Sequence, residues 1–173
     1  MTFSIAAIIR ELLAPKHILC CSSKLWTTGL LELKRRGKGS RESGAFVLGT
    51  EQNGRRRICR FVYYDDLEPN CLNTGVVVMS GEGYGSLWRL CKETGLKVVA
   101  DIHTHPGAAR QSYLDKTNPM VAMQGHIAVI VPNFANAVDN ADSLGMYEYL
   151  GSHKWHDFSG KLVKQKFYIG IWG

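Results

Sequence analysis

Short apolar runs alternate with turn-forming residues along the chain, and this pattern predicts a mixture of strands and helices. A short run bounded by Gly, Pro, Asn or Ser favours a strand, whereas apolar residues at helical spacing favour a helix. Asn53-Gly54 between two apolar runs is a strong signal for a hairpin turn. The apolar runs with strand character cover residues 18–21, 45–48, 57–64, 75–79, 97–102, 126–131, 146–150, 153–158 and 166–172.

The helix signals lie between these runs. Ser22 or Ser23 is expected to cap a helix that runs to about Arg35, and Gly95 is expected to end a helix over residues 84–94. A helical turn is predicted from Ser112, and a second short helix over residues 118–125 because Asn118-Pro119 resembles a cap followed by proline. Residues 5–13 fit either a helix or a strand, and residues 65–73 and 137–144 are predicted loops.

This alternation predicts a mixed α/β fold of the α+β kind, with a central, mostly antiparallel sheet flanked by helices. The 173 residues suggest one domain over residues 1–173. No apolar run reaches the roughly 20 residues of a membrane span, and residues 5–13 lack the features of a secretory signal. The 5 cysteines are odd in number and scattered, which favours free thiols and a cytoplasmic location.

The net charge of +6 lies largely in two basic runs, at residues 34–41 and 55–60. The simpler interpretation is that both are solvated loops. The alternative is a basic rim that attracts an acidic partner or nucleic acid. Aromatic residues are not interleaved with these charges, so a platform that stacks the bases of single strands is not indicated and nucleic acid is not the expected partner.

The richest stretch for chemistry is Asp101-Ile-His-Thr-His-Pro106. His103 and His105 are separated by one residue, so in extended backbone they lie on the same face. Imidazole and carboxylate groups bind zinc well, and Asp115 can supply a third ligand if the loop folds back. Three protein ligands leave the fourth position open, which is typical of a catalytic rather than a structural zinc.

Two other residues fit this chemistry. Ser112 and Asp115 are one helical turn apart, although the same pair would also fit a plain helix start with a serine cap. Glu42 precedes the run at 45–48, and a carboxylate near a zinc-bound water can accept its proton and pass it to a leaving amine. The alternative for Glu42 is a surface salt bridge with one of the neighbouring arginines.

The remaining histidines and a late aromatic group indicate structure rather than chemistry. His17 and His126 each open a predicted strand, and His153 and His156 lie in a region of strand or loop. These histidines are not expected to bind metal. The late aromatic residues are interpreted as core, not as a binding site: Trp155, Phe158, Phe167 and Trp172.

The ordered set of Glu42, His103-Thr-His-Pro106 and Ser112-x-x-Asp115 resembles the signature of the JAB/JAMM (MPN-domain) zinc metalloproteases, in particular the prokaryotic JAB type. The resemblance spans residues 42 to about 135 and includes the strand before His103 and the segment from His126. It departs from the usual pattern in one respect. Nine residues separate His105 from Asp115, where the family has ten.

The resemblance implies an MPN/JAB fold and roles for individual residues. His103, His105 and Asp115 would hold one zinc ion per chain. Glu42 would hold and activate the water, and Ser112 would help to stabilise the tetrahedral oxyanion. Gln111 is the alternative donor, because the shorter spacing changes where Ser112 lies relative to the metal.

The function implied by the resemblance is a zinc isopeptidase or peptidase that acts at the C-terminal tail of a ubiquitin-like protein. The implied setting is a bacterial conjugation system, including antiphage operons, whose activating and conjugating enzymes would be further partners. The same chemistry would suit the trimming of sulfur-carrier proteins. Two alternatives from other classes are a catalytically inactive MPN scaffold and a basic module that binds nucleic acid.

Overall fold

The fold is described from a computed structural model, which covers residues 17–72, 77, 79–136, 141–171 and 173. The segment 5–13 and most of the apolar run at 75–79 lie outside the described residues. The strands are β1 Leu19–Ser22, β2 Gly44–Gln52, β3 Arg55–Tyr63, β4 Lys97–Thr104, β5 Ile127–Val131, β6 Gly145–Gly151, β7 Lys154–Asp157 and β8 Phe167–Gly170. The α-helices are α1 Ser23–Arg36, α2 Tyr64–Leu67, α3 Gly81–Thr94, α4 Tyr113–Thr117 and α5 Val163–Lys166.

All eight strands belong to one sheet, in the order β7-β6-β5-β4-β2-β3-β1-β8. The pairs β2–β3, β2–β4, β5–β6 and β6–β7 are antiparallel, whereas β1–β3, β1–β8 and β4–β5 are parallel. The sheet is therefore mixed, with four antiparallel pairs among the seven. The expected α/β fold with a mostly antiparallel central sheet and flanking helices is confirmed at that level.

Both faces of the central strands are buried. Along β2, Ala45 and Val47 point into one apolar cluster with Trp26 and Leu33 of α1, while Phe46 and Leu48 point into a second cluster with Leu87 of α3. Successive side chains of a strand point to opposite faces, so a run of apolar residues fits a strand covered on both sides. This explains why β2 has a continuous rather than an alternating apolar pattern.

The predicted helix and turn signals are confirmed at three places. The Ser22 hydroxyl accepts a hydrogen bond from the backbone N–H of Leu25 at 3.3 Å and caps α1. Gly95 ends α3 with a left-handed φ of 68°, as a C-terminal glycine does. Asn53 and Gly54 form the tight turn between β2 and β3 with φ of 51° and 73°, which is the geometry that Asn-Gly favours.

Other boundaries were wrong. Residues 118–125 form no helix, because the Asn118 side chain donates to the carbonyl of Leu114 at 3.3 Å and closes α4 instead of opening a new helix. α3 begins at Gly81, three residues before the predicted start at residue 84. Tyr64, predicted as the end of a strand, begins α2, which also replaces the first part of the predicted loop.

The β6–β7 turn offers a stability prediction. Ser152 and His153 adopt positive φ values of 50° and 57°, a conformation that costs an ordinary residue more than asparagine or glycine. Replacing the pair by Asn-Gly should raise the free energy of unfolding by about 0.5–1 kcal/mol, measured by denaturant titration. The same change at Gln52-Asn53, which moves the glycine one residue early, should lower the stability. An equal response at both turns would contradict the argument.

None of the helices in the described part of the chain has the length and hydrophobicity needed to cross a membrane.

Candidate metal centre

The two histidines of the motif lie where β4 ends. β4 continues through His103 to Thr104, beyond the predicted end at residue 102, and His105 follows directly. The Nε2 atoms of the two histidines are 3.1 Å apart. The backbone of His105 is fixed on both sides, since its N–H donates to the carbonyl of Val131 at 2.9 Å and its carbonyl accepts from Phe134 at 2.8 Å.

Asp115 reaches both histidines from the short helix α4. Its Oδ1 lies 3.4 Å from His103 Nε2 and its Oδ2 lies 3.3 Å from His105 Nε2. Potential ligand atoms of these three residues all lie within 4.8 Å of one another. The loop between His105 and Asp115 therefore folds back as expected, and it brings together three groups of the kind that bind zinc.

Ser112 caps α4 together with Asp115. The Asp115 N–H donates to Ser112 Oγ at 3.1 Å, and Asp115 Oδ2 accepts from the Ser112 N–H at 2.6 Å. This reciprocal arrangement is a capping box. The interpretation of Ser112 and Asp115 as the start of a helix is therefore confirmed. Gln111, and not Ser112, is among the residues that line the adjacent cavity.

Glu42 lies beside the histidine strand, two residues before β2. β2 pairs antiparallel with β4, and Gly44 is opposite His103 in that pair. Position 44 accommodates glycine and no larger residue, because a Cβ atom there would come within 2.2 Å of the Tyr64 ring. Glu42 lines the same cavity as His103 and Asp115, and no ion pair joins it to an arginine among the described residues. The surface salt-bridge alternative is therefore not supported.

Burial and charge shift the pKa values of this group. Burial raises the pKa of Glu42 above the ordinary glutamate value, although His105 and His103 oppose the shift. Burial would also raise the pKa of Asp115, but hydrogen bonds from His103 and His105 outweigh it and hold that pKa well below its usual range. Burial opposes a charged His103, yet Asp101 and Asp115 raise its pKa to about 10 in the metal-free protein. The ligand carboxylate is ionised at neutral pH, whereas His103 must lose a proton to bind a metal.

Asp101 and His126 form a buried pair behind the histidines that the sequence analysis did not identify. They are 1% and 2% exposed, and His126 Nε2 lies 2.7 Å from Asp101 Oδ1. The other oxygen of Asp101 lies 3.5 Å from His103 Nδ1, which is buried and has no hydrogen-bond partner of normal geometry. The alternation of Asp101, His103 and His105 along one strand was the available signal.

This set fits a divalent metal ion. A metal-binding histidine commonly points its other nitrogen at a carboxylate, which fixes its orientation, and Asp101 is placed to do so for His103. Three protein ligands would leave the fourth position of a zinc ion for water, and two of the three, His103 and Asp115, line the same cavity as Glu42. The arrangement can therefore hold a divalent ion, with a carboxylate beside it that is able to accept a proton.

The basic runs and the late aromatic residues lie elsewhere than expected. The first run includes the end of α1, where Arg36 binds Asp65 and Asp66 at 2.6 and 2.7 Å, and the second lies in β3. The interpretation as loops is confirmed for residues 37–41, which follow the end of α1, and was wrong for the rest of the first run and for the second run. Phe158 and Phe167 are core residues as predicted. Trp155, in contrast, lines the cavity beside the metal centre, and Trp172 lies outside the described residues.

Comparison with known proteins extends the description of the fold. No family model matches the chain. The chain is similar to the solution structure of a protein from Desulfitobacterium hafniense, with a TM-score of 0.58 and 13% identity over 87% of this chain and 92% of that one. It is also similar to the solution structure of a protein from Salinibacter ruber, with a TM-score of 0.55 and 18% identity over 79% and 86% of the two chains. At these identities the likeness concerns the fold alone.

Proposed function

We propose that this protein is a zinc-dependent isopeptidase or peptidase of the JAB/JAMM type with an MPN fold. The observation that carries the proposal is the convergence of His103, His105 and Asp115 beside a cavity that Glu42 also lines. These residues match the family signature in type and order. The loop before Asp115 is one residue shorter than in the family, so the signature is not met in its strict form.

The proposed mechanism gives each residue a separate role. His103, His105 and Asp115 hold the zinc, which when bound polarises a carbonyl and lowers the pKa of water to about 7. Glu42 accepts the proton of the attacking water and donates it to the nitrogen of the leaving amine, so that one amide bond is exchanged for an acid and an amine. Gln111 lines the cavity, and its side-chain amide is the donor we assign to the developing negative charge.

The substrate we propose is the C-terminal tail of a ubiquitin-like protein, either in a conjugate or in a precursor. An extended tail can lie in a cleft beside sheet strands, as peptides do when they bind proteins in extended form. The activating and conjugating enzymes of a bacterial system would be its partners. None of the 5 cysteines, all of which lie in the described part of the chain, forms a disulfide, which favours a reducing compartment such as the cytoplasm.

A scaffold without activity is the second candidate, because no comparison ties this fold to catalysis. What disfavours it is that each proposed ligand is present and that a buried carboxylate, Asp101, lies 3.5 Å from the second ring nitrogen of His103. A domain kept only as a scaffold has no need for this second layer. The hypothesis that the protein binds nucleic acid is less favoured, because ion pairs already engage Arg35 and Arg36 of the first basic run.

The test of the proposal is to measure bound metal and cleavage together. Protein prepared without chelators is expected to contain about one zinc per chain by elemental analysis, and to cleave a ubiquitin-like protein extended at its C-terminus. A chelator should abolish cleavage, and added zinc should restore it. Absence of zinc would contradict the metal centre, whereas zinc without cleavage of any ubiquitin-like fusion would contradict the substrate.

Asp101 is expected to act as a positioning residue for the metal. Asp101→Asn retains an oxygen for His126 but removes the charge near His103, and it should weaken zinc binding by about 10–100-fold. His126→Gln disturbs the same buried pair but keeps the carboxylate beside His103, so its zinc affinity should remain closer to wild type. Competition with a chelating dye measures both. Equal losses in the two variants would indicate general destabilisation instead of positioning.

A further inference from the structure

The cavity at the metal centre is larger and more apolar than metal binding and proton transfer alone require. It has a volume of about 470 Å³ and is lined by Glu42, His103 and Asp115 together with several apolar side chains. Cavities of about 300–1,000 Å³ are typical of sites for small molecules. The apolar lining includes Tyr64, Tyr84, Leu114, Met120, Ala128 and Trp155.

The aromatic walls present their apolar parts because their polar atoms are already bonded. The Tyr84 hydroxyl donates to the carbonyl of Met120 at 2.7 Å, and Trp155 Nε1 donates to the carbonyl of Lys116 at 3.1 Å. Both hydrogen bonds connect an aromatic side chain of the cavity, Tyr84 or Trp155, to the segment that follows the proposed ligand Asp115. The rings are thus fixed relative to the metal ligands, and their hydrogen-bonding groups are not available to a ligand.

The charges around the cavity favour an apolar side chain of a ligand over an acidic one. No lysine or arginine is found among the described residues that line it. Of its acidic side chains, Asp101 is paired with His126 and Asp115 faces the two histidines. An acidic side chain of a substrate would find no lysine or arginine there and would meet the carboxylate of Glu42. An apolar side chain would be removed from water among aromatic and methionine side chains.

We propose that this cavity is a side-chain subsite, and that the substrate has a large apolar residue next to the amide bond that is cleaved. The inference rests on the proposed function and narrows its substrate class. A tail that ends in glycine alone would leave the cavity without a contact. A residue such as leucine, methionine or phenylalanine would bury its side chain while the adjoining amide bond remains beside the metal ligands.

Hydroxamates of N-acetyl amino acids test this directly, because the hydroxamate group binds zinc and the side chain explores one side of it. Binding to the zinc-loaded protein is measured by calorimetry for the glycine, alanine, leucine and phenylalanine compounds. Leucine and phenylalanine should bind about 10–100-fold more tightly than glycine, as expected from burying a large apolar side chain. Succinyl hydroxamates carry the apolar group on the other side, and comparison of the two series assigns the subsite to the acyl or the amine side.

Met120 and Met123 provide a matched pair of variants. Met120 lines the cavity, whereas Met123 is 61% exposed and does not. Met120→Ser should reduce the preference for leucine over glycine by about 10-fold, and Met123→Ser should leave it unchanged. Neither residue is a proposed ligand or proton acceptor, so zinc content should be the same in both variants.

The outcomes separate the subsite from the proposed function. Equal affinity for the glycine and leucine compounds in both series, with one zinc bound, would overturn the subsite and leave the metal centre standing. Equal effects of the two methionine variants would also overturn it. A protein that holds no zinc would remove the proposed function, and this inference with it.

Discussion

Replacement of Glu42 by glutamine is expected to lower turnover by about 10²–10⁴-fold while bound zinc stays near one per chain. Glutamine has almost the same size as glutamate but cannot accept a proton from water at neutral pH. Because Glu42 lies beside the three proposed ligands and is not one of them, its loss should affect the chemistry and leave the metal in place. Glu42→Ala is expected to behave in the same way.

Measurement of kcat, KM and zinc content on the same samples tests this expectation. Glu82→Gln is the matched control, since Glu82 is exposed in the first turn of α3. It should keep both the activity and the metal. Wild-type turnover in Glu42→Gln would show that another group moves the proton. Loss of zinc in this variant would instead make Glu42 a ligand.

The pH dependence provides a second readout of Glu42. The ionised carboxylate is the form that accepts a proton, so kcat/KM should fall as the pH drops through the pKa of this group. Burial raises that pKa above the ordinary glutamate value in the metal-free protein, whereas the positive charge of a bound zinc would lower it. The residual activity of Glu42→Gln should lack this acidic limb.

The sequence predicts the fold best where a local signal decides the outcome. The hairpin at Asn53-Gly54, the cap at Ser22 and the helix end at Gly95 each depend on the conformational preference of one or two residues. The prediction fails where a side chain has competing uses. Asn118 can open a helix or close one, and the carbonyl of Leu114 decides in favour of closure.

The candidate site also has a part that the sequence predicts and a part that it does not. The spacing of His103 and His105 predicts that they share one face of a strand. That Asp115 joins them required the loop to fold back, which the family resemblance implies and the spacing alone does not. The Asp101–His126 pair joins residues 25 positions apart. It depends on the parallel pairing of β4 with β5, in which Asp101 is opposite Ala128. The sequence contains both strands, but not their register or the tertiary pairing that places His126 behind His103.

Replacement of Asp115 is expected to remove the metal. The loss of zinc affinity should exceed the about 10–100-fold that follows when a residue hydrogen-bonded to a metal ligand is changed. The residue has two uses, as a ligand and as the acceptor in the capping box with Ser112, and two variants separate them. Asp115→Asn keeps an oxygen for the Ser112 N–H but loses the anionic ligand. Ser112→Ala loses the hydroxyl cap, worth about 1 kcal/mol, but keeps the carboxylate.

Elemental analysis should therefore find little zinc in Asp115→Asn and about one per chain in Ser112→Ala. The opposite pattern would mean that the helix cap, and not the ligand, controls the site. Proton release adds an independent check, since Asp101 and Asp115 raise the pKa of His103 to about 10 without metal. Zinc must displace this proton at pH 7, so affinity should increase with pH until His103 is neutral. Calorimetry in two buffers should detect the proton that wild type releases when zinc binds. Any residual binding by Asp115→Asn should release less, because this variant lacks the carboxylate of Asp115 that raises the pKa of His103.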